Sequence, residues 1–216
     1  MNTQDLIDTL SHKTAPAKAL KPPLWWGFVL IVILSLYAVG LLSFLGIRDD
    51  LAVQLTRPLF VIEFLLLVTL ILSSSWASIL SMYPDLYQRK FLFNVPYVIF
   101  GALALLTLFQ IIFMPYDPRM AIPELEGLHG MECAICIAAV SIIPAALLIA
   151  VQRQGACVYP MKAGSFAVLA AASLGCLLVR IEEANDSLMH LATWHYLPTL
   201  LFAGCGAALG RFFLKW

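Results

Sequence analysis

Six long apolar runs, each long enough to cross a lipid bilayer, constrain this chain more than any other feature. They are predicted over residues 24–45, 58–82, 95–114, 130–151, 161–181 and 194–213. A span needs about 20 mostly apolar residues, and a helix satisfies its own backbone polar groups inside the membrane. With 62% of its 216 residues hydrophobic and only 12% charged, the chain is far more apolar than a soluble domain. The sequence therefore predicts an all-α polytopic membrane protein with six transmembrane helices.

The distribution of basic residues predicts the orientation of these helices. Lys and Arg are enriched in loops on the cytoplasmic side of membrane proteins. If the N-terminus is cytoplasmic, the outer segments hold only four basic residues, Arg48, Arg57, Arg119 and Arg180. The inner segments then hold nine, which are Lys13, Lys18, Lys21, Arg89, Lys90, Arg153, Lys162, Arg211 and Lys215. We expect both termini in the cytoplasm, with a cytoplasmic N-terminal segment over residues 1–23 and a six-helix transmembrane domain over residues 24–216.

The net charge and the cysteine content argue against two classes of protein, those that bind nucleic acid directly and secreted disulfide-rich proteins. The formal net charge is zero, from 13 basic and 13 acidic residues, so no basic surface for direct nucleic-acid contact is expected. The five cysteines lie in or beside apolar runs and are odd in number, unlike the cysteines of a secreted disulfide framework. The lipid bilayer is an expected partner, and no cofactor is predicted.

Two carboxylates, Glu63 and Glu132, fall inside predicted spans. An ionisable group in a membrane is costly and is a functional hypothesis by default. Both lie in the outer third of their helices, so they can also reach the outer interface or pair with a basic neighbour such as Arg57. A transporter site would place charges nearer the midplane, and the sequence offers none there.

The segment from His129 to Cys136 is chemically the richest. On a helix, Cys133 and Cys136 lie one turn apart on one face, as do His129 and Glu132 or Cys133. Imidazole, carboxylate and thiolate groups can form a soft metal site, and a Cys-x-x-Cys pair can be redox-active. Alternatively, Cys136 is a small buried hydrophobic residue. We take all four residues as candidate sensing residues, and His129, Cys133 and Cys136 as candidate metal ligands.

A zinc site usually takes ligands from a second segment of the chain. Cys176, or His190 together with His195, could supply them, and the sequence alone does not choose between these sets.

The last two spans are rich in small residues. Gly206 and Gly210 form a Gly-x-x-x-Gly pair, and the fifth span contains Gly164 and several alanines. Small residues let helices approach closely in lipid, so a tight hairpin of the last two spans is predicted. A homodimer through the same face is left open.

The N-terminal segment contains a short amphipathic pattern. Leu6, Ile7 and Leu10 form an apolar stripe, with Asp5 and Asp8 on the other side. Such a helix is too short to be stable alone, but it can fold on docking into a partner groove. The alternative is a tail that only precedes the first span.

Several short motifs, in order along the chain, resemble the NrsF-like family of membrane anti-sigma factors. The resemblance extends over nearly the whole length. Its motifs are residues 3–10, Glu132-Cys133 opening the fourth span, Asp186-Ser187 and Trp194 in the last outer loop, and the tail from Leu209-Gly210-Arg211 to Trp216.

The resemblance implies a regulator that is not an enzyme. Such proteins hold an extracytoplasmic-function (ECF) type sigma factor at the inner membrane, away from RNA polymerase. Asp5, Leu6, Ile7 and Leu10 would contact the sigma factor, and a metal, oxidative or envelope signal would release it. Family members often carry a second cysteine in the last outer loop, where this chain has Glu183.

Cys133 fits the family's first cysteine, and Cys136 or Cys176 could take the place of the second. Two other functions remain open from the residues alone. One is a small membrane transporter or channel, and the other is a membrane thiol oxidoreductase that uses Cys133 and Cys136.

Overall fold

The computed structural model describes residues 2–13, 19–85, 90–113 and 129–215, and it contains no β-strand within these ranges. The helices are α1 Thr3–Lys13, α2 Pro23–Leu45, α3 Leu51–Gln54, α4 Pro58–Leu80, α5 Lys90–Phe113, α6 His129–Gln152, α7 Pro160–Glu182, α8 Leu188–His190 and α9 Leu197–Phe213. A π-helical segment, Leu191–Tyr196, joins α8 to α9 without a break.

Among the described residues, six helical units are long and apolar enough to cross a membrane, which agrees with the predicted number of spans. The third begins at Lys90 and not near Val95, because Pro96 is accommodated inside the helix. The sixth begins at Leu188 and not at Trp194, because the π-helical segment extends it back towards the preceding loop.

Prolines define the starts of three of these spans. Pro23, Pro58 and Pro160 each lie in the first turn of α2, α4 and α7. The fixed φ of proline suits this position, and its missing N–H would have no partner in the helix there. The loops therefore end where the sequence supplies a proline.

Helix α7 lies at the centre of the bundle. Every residue from Ala163 to Arg180 is buried, and α4, α6 and α9 pack around it. Its many Ala and Gly side chains are small enough for neighbouring helices to approach from several sides.

The contact between α7 and α9 confirms the predicted hairpin. A Cβ atom added to Gly164 would clash with the Gly206 carbonyl and lie 2.6 Å from the Gly210 Cα. A Cβ added to Gly206 would lie 2.6 Å from the Gly164 carbonyl oxygen. The two backbones therefore touch directly, so the Gly-x-x-x-Gly pair is used within one chain.

Helix α2 lies at the periphery and buries few of its residues. Its buried residues are Trp26, Gly27, Leu30 and Leu34. At its start, the Tyr83 hydroxyl donates a hydrogen bond to the Lys21 carbonyl. Midway, the Tyr37 hydroxyl donates to the Val140 carbonyl at 2.7 Å.

A buried amide joins three helices at the end of the bundle where α7 begins, which we call the Pro160 end. The Gln152 Nε2 donates to the Ser78 Oγ and to the Ala163 carbonyl, both at 2.8 Å. Gly210 approaches the Pro160 carbonyl at the same end.

Candidate metal centre at the Glu183 end

Polar side chains from four elements meet at the opposite end of the bundle, which we call the Glu183 end. Cys133 comes from α6, Glu183 follows α7, His190 ends α8, and His195 lies in the π-helical segment. Each offers one potential ligand atom, and these four atoms lie within 4.8 Å of one another. We call this group the four-residue cluster.

The Glu183 carboxylate lies at the centre of the cluster. Its Oε2 accepts a hydrogen bond from the Cys133 Sγ at 3.4 Å and lies 3.1 Å from the His195 Nε2. Its Oε1 lies 3.3 Å from the His190 Nε2. Both histidines are buried, whereas Cys133 and Glu183 are partly exposed. The cluster is therefore partly buried, with its two histidines in the interior and Cys133 and Glu183 at its exposed edge.

Local backbone structure brings the two histidines together. The Ser187 Oγ accepts a hydrogen bond from the His190 N–H and so caps the start of the last helical unit. Hydrogen bonds in a π-helix join residues five apart, so His190 and His195 lie on one side of the segment. Their ring centroids are 5.3 Å apart.

The charges around Glu183 favour its ionised form. Burial alone would raise the pKa of the Glu183 carboxyl, but the hydrogen bond and charge of His195 and the charge of His190 hold it below its usual value. The carboxylate therefore need not lose a proton before it binds a cation, whereas the histidines whose positive charge lowers its pKa must do so.

The donor set fits a divalent ion such as Zn²⁺. Two imidazoles, one thiolate and one carboxylate are common zinc ligands, with bonds of about 2.0–2.3 Å in a tetrahedral arrangement. The three contacts to Glu183, at 3.1–3.4 Å, are close to the separations between ligands around such an ion. All four ligand atoms lie within 4.8 Å of one another, so small shifts would bring them to the spacing of ligands around a bound ion.

A buried ion pair lies beside the cluster. The Arg180 Nε donates to the Glu63 Oε1 at 3.0 Å, and the Tyr196 hydroxyl donates to the same oxygen at 2.6 Å. Glu63 and Arg180 are only 6% and 5% exposed, so each charge depends on its partner. Glu63 does pair with a basic residue, but that residue is Arg180 of α7 and not the neighbouring Arg57.

Arg48, which follows α2, extends this ion pair into a network. Its guanidinium donates to Asp50 at 2.6 Å and to Asp186 at 3.0 Å, and Asp186 also accepts from Arg180 at 2.7 Å. Burial alone would raise the pKa of Asp186, but hydrogen bonds from the two guanidinium groups hold it below its usual value. We call Arg48, Asp50, Glu63, Arg180 and Asp186 the arginine network.

Comparison with known proteins identifies the family. A family model described as "Negative regulator of sigma F" (NrsF) matches residues 10–216. The chain belongs to the NrsF family. This confirms the resemblance and makes a sigma factor the expected class of partner. No curated protein and no solved structure matches the chain.

Among the described side chains of this NrsF family member, one predicted sensing residue, Cys133, belongs to the cluster. His190 and His195 lie beside it and are the second segment that a zinc site here would use. Cys133 and Cys136 both pack against the central apolar core, but Cys136 does not belong to the cluster, and Glu132 is exposed. Sensing roles for Cys136 and Glu132 remain predictions, and the His129 side chain lies outside the described residues.

Glu183 is the member that sequence reasoning did not select as a ligand. The only signal in the sequence is the family resemblance, which implies a second cysteine at this position, where the chain has Glu183. The Glu183 carboxylate offers an oxygen as a potential ligand there.

The predicted sigma-factor contact lies partly within the described residues. Helix α1 forms over Thr3–Lys13, and its Asp5 and Ile7 side chains are exposed. The side chains of Leu6 and Leu10 lie outside the described residues. The family match starts at Leu10, so most of the predicted contact precedes it.

Proposed function

We propose that this NrsF family member is a membrane-bound anti-sigma factor. It holds an ECF-type sigma factor at the bacterial inner membrane and releases the sigma factor when the four-residue cluster binds a divalent metal ion. The observation that carries this proposal is the family match over residues 10–216, whose description is a negative regulator of a sigma factor.

The N-terminal segment is the proposed sigma-factor contact. It precedes α2 at the end of the bundle that is rich in basic residues, which the positive-inside rule assigns to the cytoplasm. Ile7 is 52% exposed on α1, so part of the apolar stripe is available for a partner. An amphipathic helix of this kind gains its stability by docking into a groove of the partner.

The signal would arrive at the opposite, outer end. Cys133 and the two histidines must be deprotonated to bind a metal, so binding releases protons and weakens as the pH falls. For the ion to act as a signal, it must bind more tightly to a conformation that holds the sigma factor less well. Zn²⁺ is the ion that best suits the donor set.

Two alternatives from the sequence have less support. A transporter needs a polar path near the midplane, but Glu63 and Arg180 lie towards the Glu183 end and neutralise each other. A thiol oxidoreductase would use Cys133 and Cys136 as a pair, but the Cys133 thiol donates to Glu183. The family description names a regulator and not an enzyme.

A pull-down tests the sigma-factor contact. Full-length protein and a deletion of residues 1–20 are purified in detergent from cells that contain the native sigma factors. We expect a sigma factor with the full-length protein and none with the deletion. Leu6→Asp should also lose the sigma factor, whereas Gln4→Asp, which adds the same charge away from the apolar stripe, should retain it.

The outcomes separate the two parts of the proposal. If neither full-length protein nor deletion recovers a sigma factor, the anti-sigma function is wrong. If the deletion and Leu6→Asp recover as much sigma factor as the full-length protein, the function stands and the N-terminal contact is wrong.

A further inference from the structure

The end of α2 is attached to the same short segment that carries Glu183. Gly46, at φ 98°, ends the helix in a backbone conformation that favours glycine and turns the chain towards α7. The Arg48 N–H then donates to the Ile181 carbonyl at 3.1 Å, and its Nη1 donates to the Glu183 carbonyl at 3.0 Å. The last residues of the α2 unit therefore bind the backbone on both sides of Glu182.

The backbone and the side chain of Glu183 bind different partners. Its main-chain carbonyl accepts from Arg48, while its carboxylate binds Cys133 and the two histidines. Residues 183–187 are not helical, whereas the other three members of the cluster lie in helical segments. When an ion draws the four ligand atoms together, Glu183 is the member whose backbone can shift most easily.

The buried pair of Arg180 and Glu63 provides a fixed frame, to which Arg48 is linked through Asp186. Asp186 binds both guanidinium groups, and Arg180 belongs to the buried part of α7. Arg180 also binds Glu63 of α4, so this side is connected to two well-packed helices. A shift of Glu183 changes the position of Arg48 relative to this frame.

Among the described spans, α2 is the one that can move with the smallest loss of side-chain packing. In the most apolar 18-residue stretch of α2, only 6% of the residues are buried, compared with 94% in the corresponding stretch of α7. A helix with few packed side chains can move without opening cavities in the core. Along the chain, α2 follows directly on the N-terminal segment.

We infer that Arg48 couples the four-residue cluster to α2, so that an ion bound at one end of the bundle repositions the helix that carries the N-terminal segment at the other. Arg48 is a positioning residue, since it contacts the backbone of a ligand residue and not the ion. The inference rests on the proposed function for its output, the release of a sigma factor.

Three proteins in lipid nanodiscs test the coupling: the wild type, Arg48→Gln and the control Arg57→Gln. Arg57 lies at the same end of the bundle and is exposed, and it forms no ion pair with any described residue. Absorption of Co²⁺ bound to the thiolate reports occupancy of the cluster. The affinity for the sigma factor recovered in the pull-down is measured with and without Zn²⁺.

In the wild type and in Arg57→Gln, we expect Zn²⁺ to weaken sigma-factor binding by roughly 5–150-fold, the usual range for coupled sites. In Arg48→Gln, we expect unchanged Co²⁺ spectra and sigma-factor binding, with an effect of Zn²⁺ close to onefold. An Arg48→Gln variant that responds to Zn²⁺ like the wild type would overturn the inference. So would loss of the Co²⁺ spectrum, because Arg48 would then only support the cluster.

Hydrogen exchange in the wild-type protein tests the same coupling without a variant. Adding Zn²⁺ should change exchange in residues 19–48 and leave the buried part of α7 unchanged. Unchanged exchange in residues 19–48, with the cluster occupied, would refute the coupling even if no sigma factor binds. A wild type that binds no sigma factor, but shows the exchange change, would refute only the proposed function.

Discussion

The Glu183 end and the Pro160 end of the bundle connect their helices by different means. At the Glu183 end, charged and ionisable side chains join α2, α4, α6 and α7 through the four-residue cluster and the arginine network. At the Pro160 end, glycine backbones touch directly and one buried amide links three helices. Ions and protons can change the first kind of contact but not the second. The Glu183 end is therefore suited to receive a chemical signal, and the Pro160 end is suited to keep the bundle together.

The largest expected effect comes from adding a side chain at the Pro160 end. In Gly210→Leu, the new Cβ would clash with the Pro160 carbonyl and lie 2.9 Å from the Gly164 Cα. Backbone atoms cannot yield as a flexible side chain can, so we expect little folded protein. Gly204→Ala in the same helix is the control, because a Cβ there meets nothing within 4 Å. Size-exclusion chromatography in detergent measures the yield, and equal yields from both variants would contradict the close backbone contact.

Breaking the buried ion pair should have the next largest effect. Arg180→Met leaves the Glu63 carboxylate buried without its partner, which costs about 3–5 kcal/mol of unfolding free energy. Combining Arg180→Met with Glu63→Gln removes the isolated charge and should recover part of that loss. Unfolding in mixed detergent measures both variants. If the double variant is less stable than Arg180→Met, the isolated charge is not the cause.

Removing a ligand at the Glu183 end should change metal affinity more than stability. Cys133→Ser should weaken Zn²⁺ binding by at least about tenfold, because it removes the thiolate ligand. Cys136→Ser is the matched control, since Cys136 is one turn away and packs against the core. Competition with a zinc-binding dye measures the affinity of each protein. Equal loss in both variants would restore Cys136 as a ligand.

The smallest expected effect is a pH dependence confined to the Glu183 end. The folded-state pKa of Asp186 is lowered, so its ionised form stabilises the fold above the unfolded pKa of about 3.9. That contribution is lost as the pH falls through the lower, folded-state pKa. The difference in melting temperature between the wild type and Asp186→Asn should therefore be present at neutral pH and close in acid. The effect is modest because solvent screens the partly exposed Asp186, and a difference that does not change with pH would contradict it.

The features that the sequence predicts are those set by the composition of one span or of two consecutive spans. Each span follows from its own composition, and the hairpin of α7 and α9 follows from Gly164, Gly206 and Gly210. The partner of Glu63 could not be predicted in this way, because Arg180 lies 117 residues away along the chain. Arg57 is the basic residue closer to Glu63 along the chain, but the bundle places Arg180 against Glu63 instead.

The candidate metal centre was predicted only in part, for a geometric reason. The sequence indicates Cys133 as a candidate ligand and offers the two histidines as possible ligands from a second segment. Their spacing of five does not place them on one face of an α-helix, whose side chains align three or four residues apart. The π-helical segment brings them together, and the apolar periodicity of the sequence does not predict such a segment.

A Zn²⁺ titration of the complex with the sigma factor in nanodiscs, for the wild type, Cys133→Ser and Cys136→Ser, tests the role of the four-residue cluster most directly. We expect Zn²⁺ to release the sigma factor from the wild type and from Cys136→Ser at the same concentration, and from Cys133→Ser only at a concentration at least about tenfold higher. Release from all three proteins at one concentration, or no release from the wild type, would contradict the claim that the four-residue cluster receives the signal.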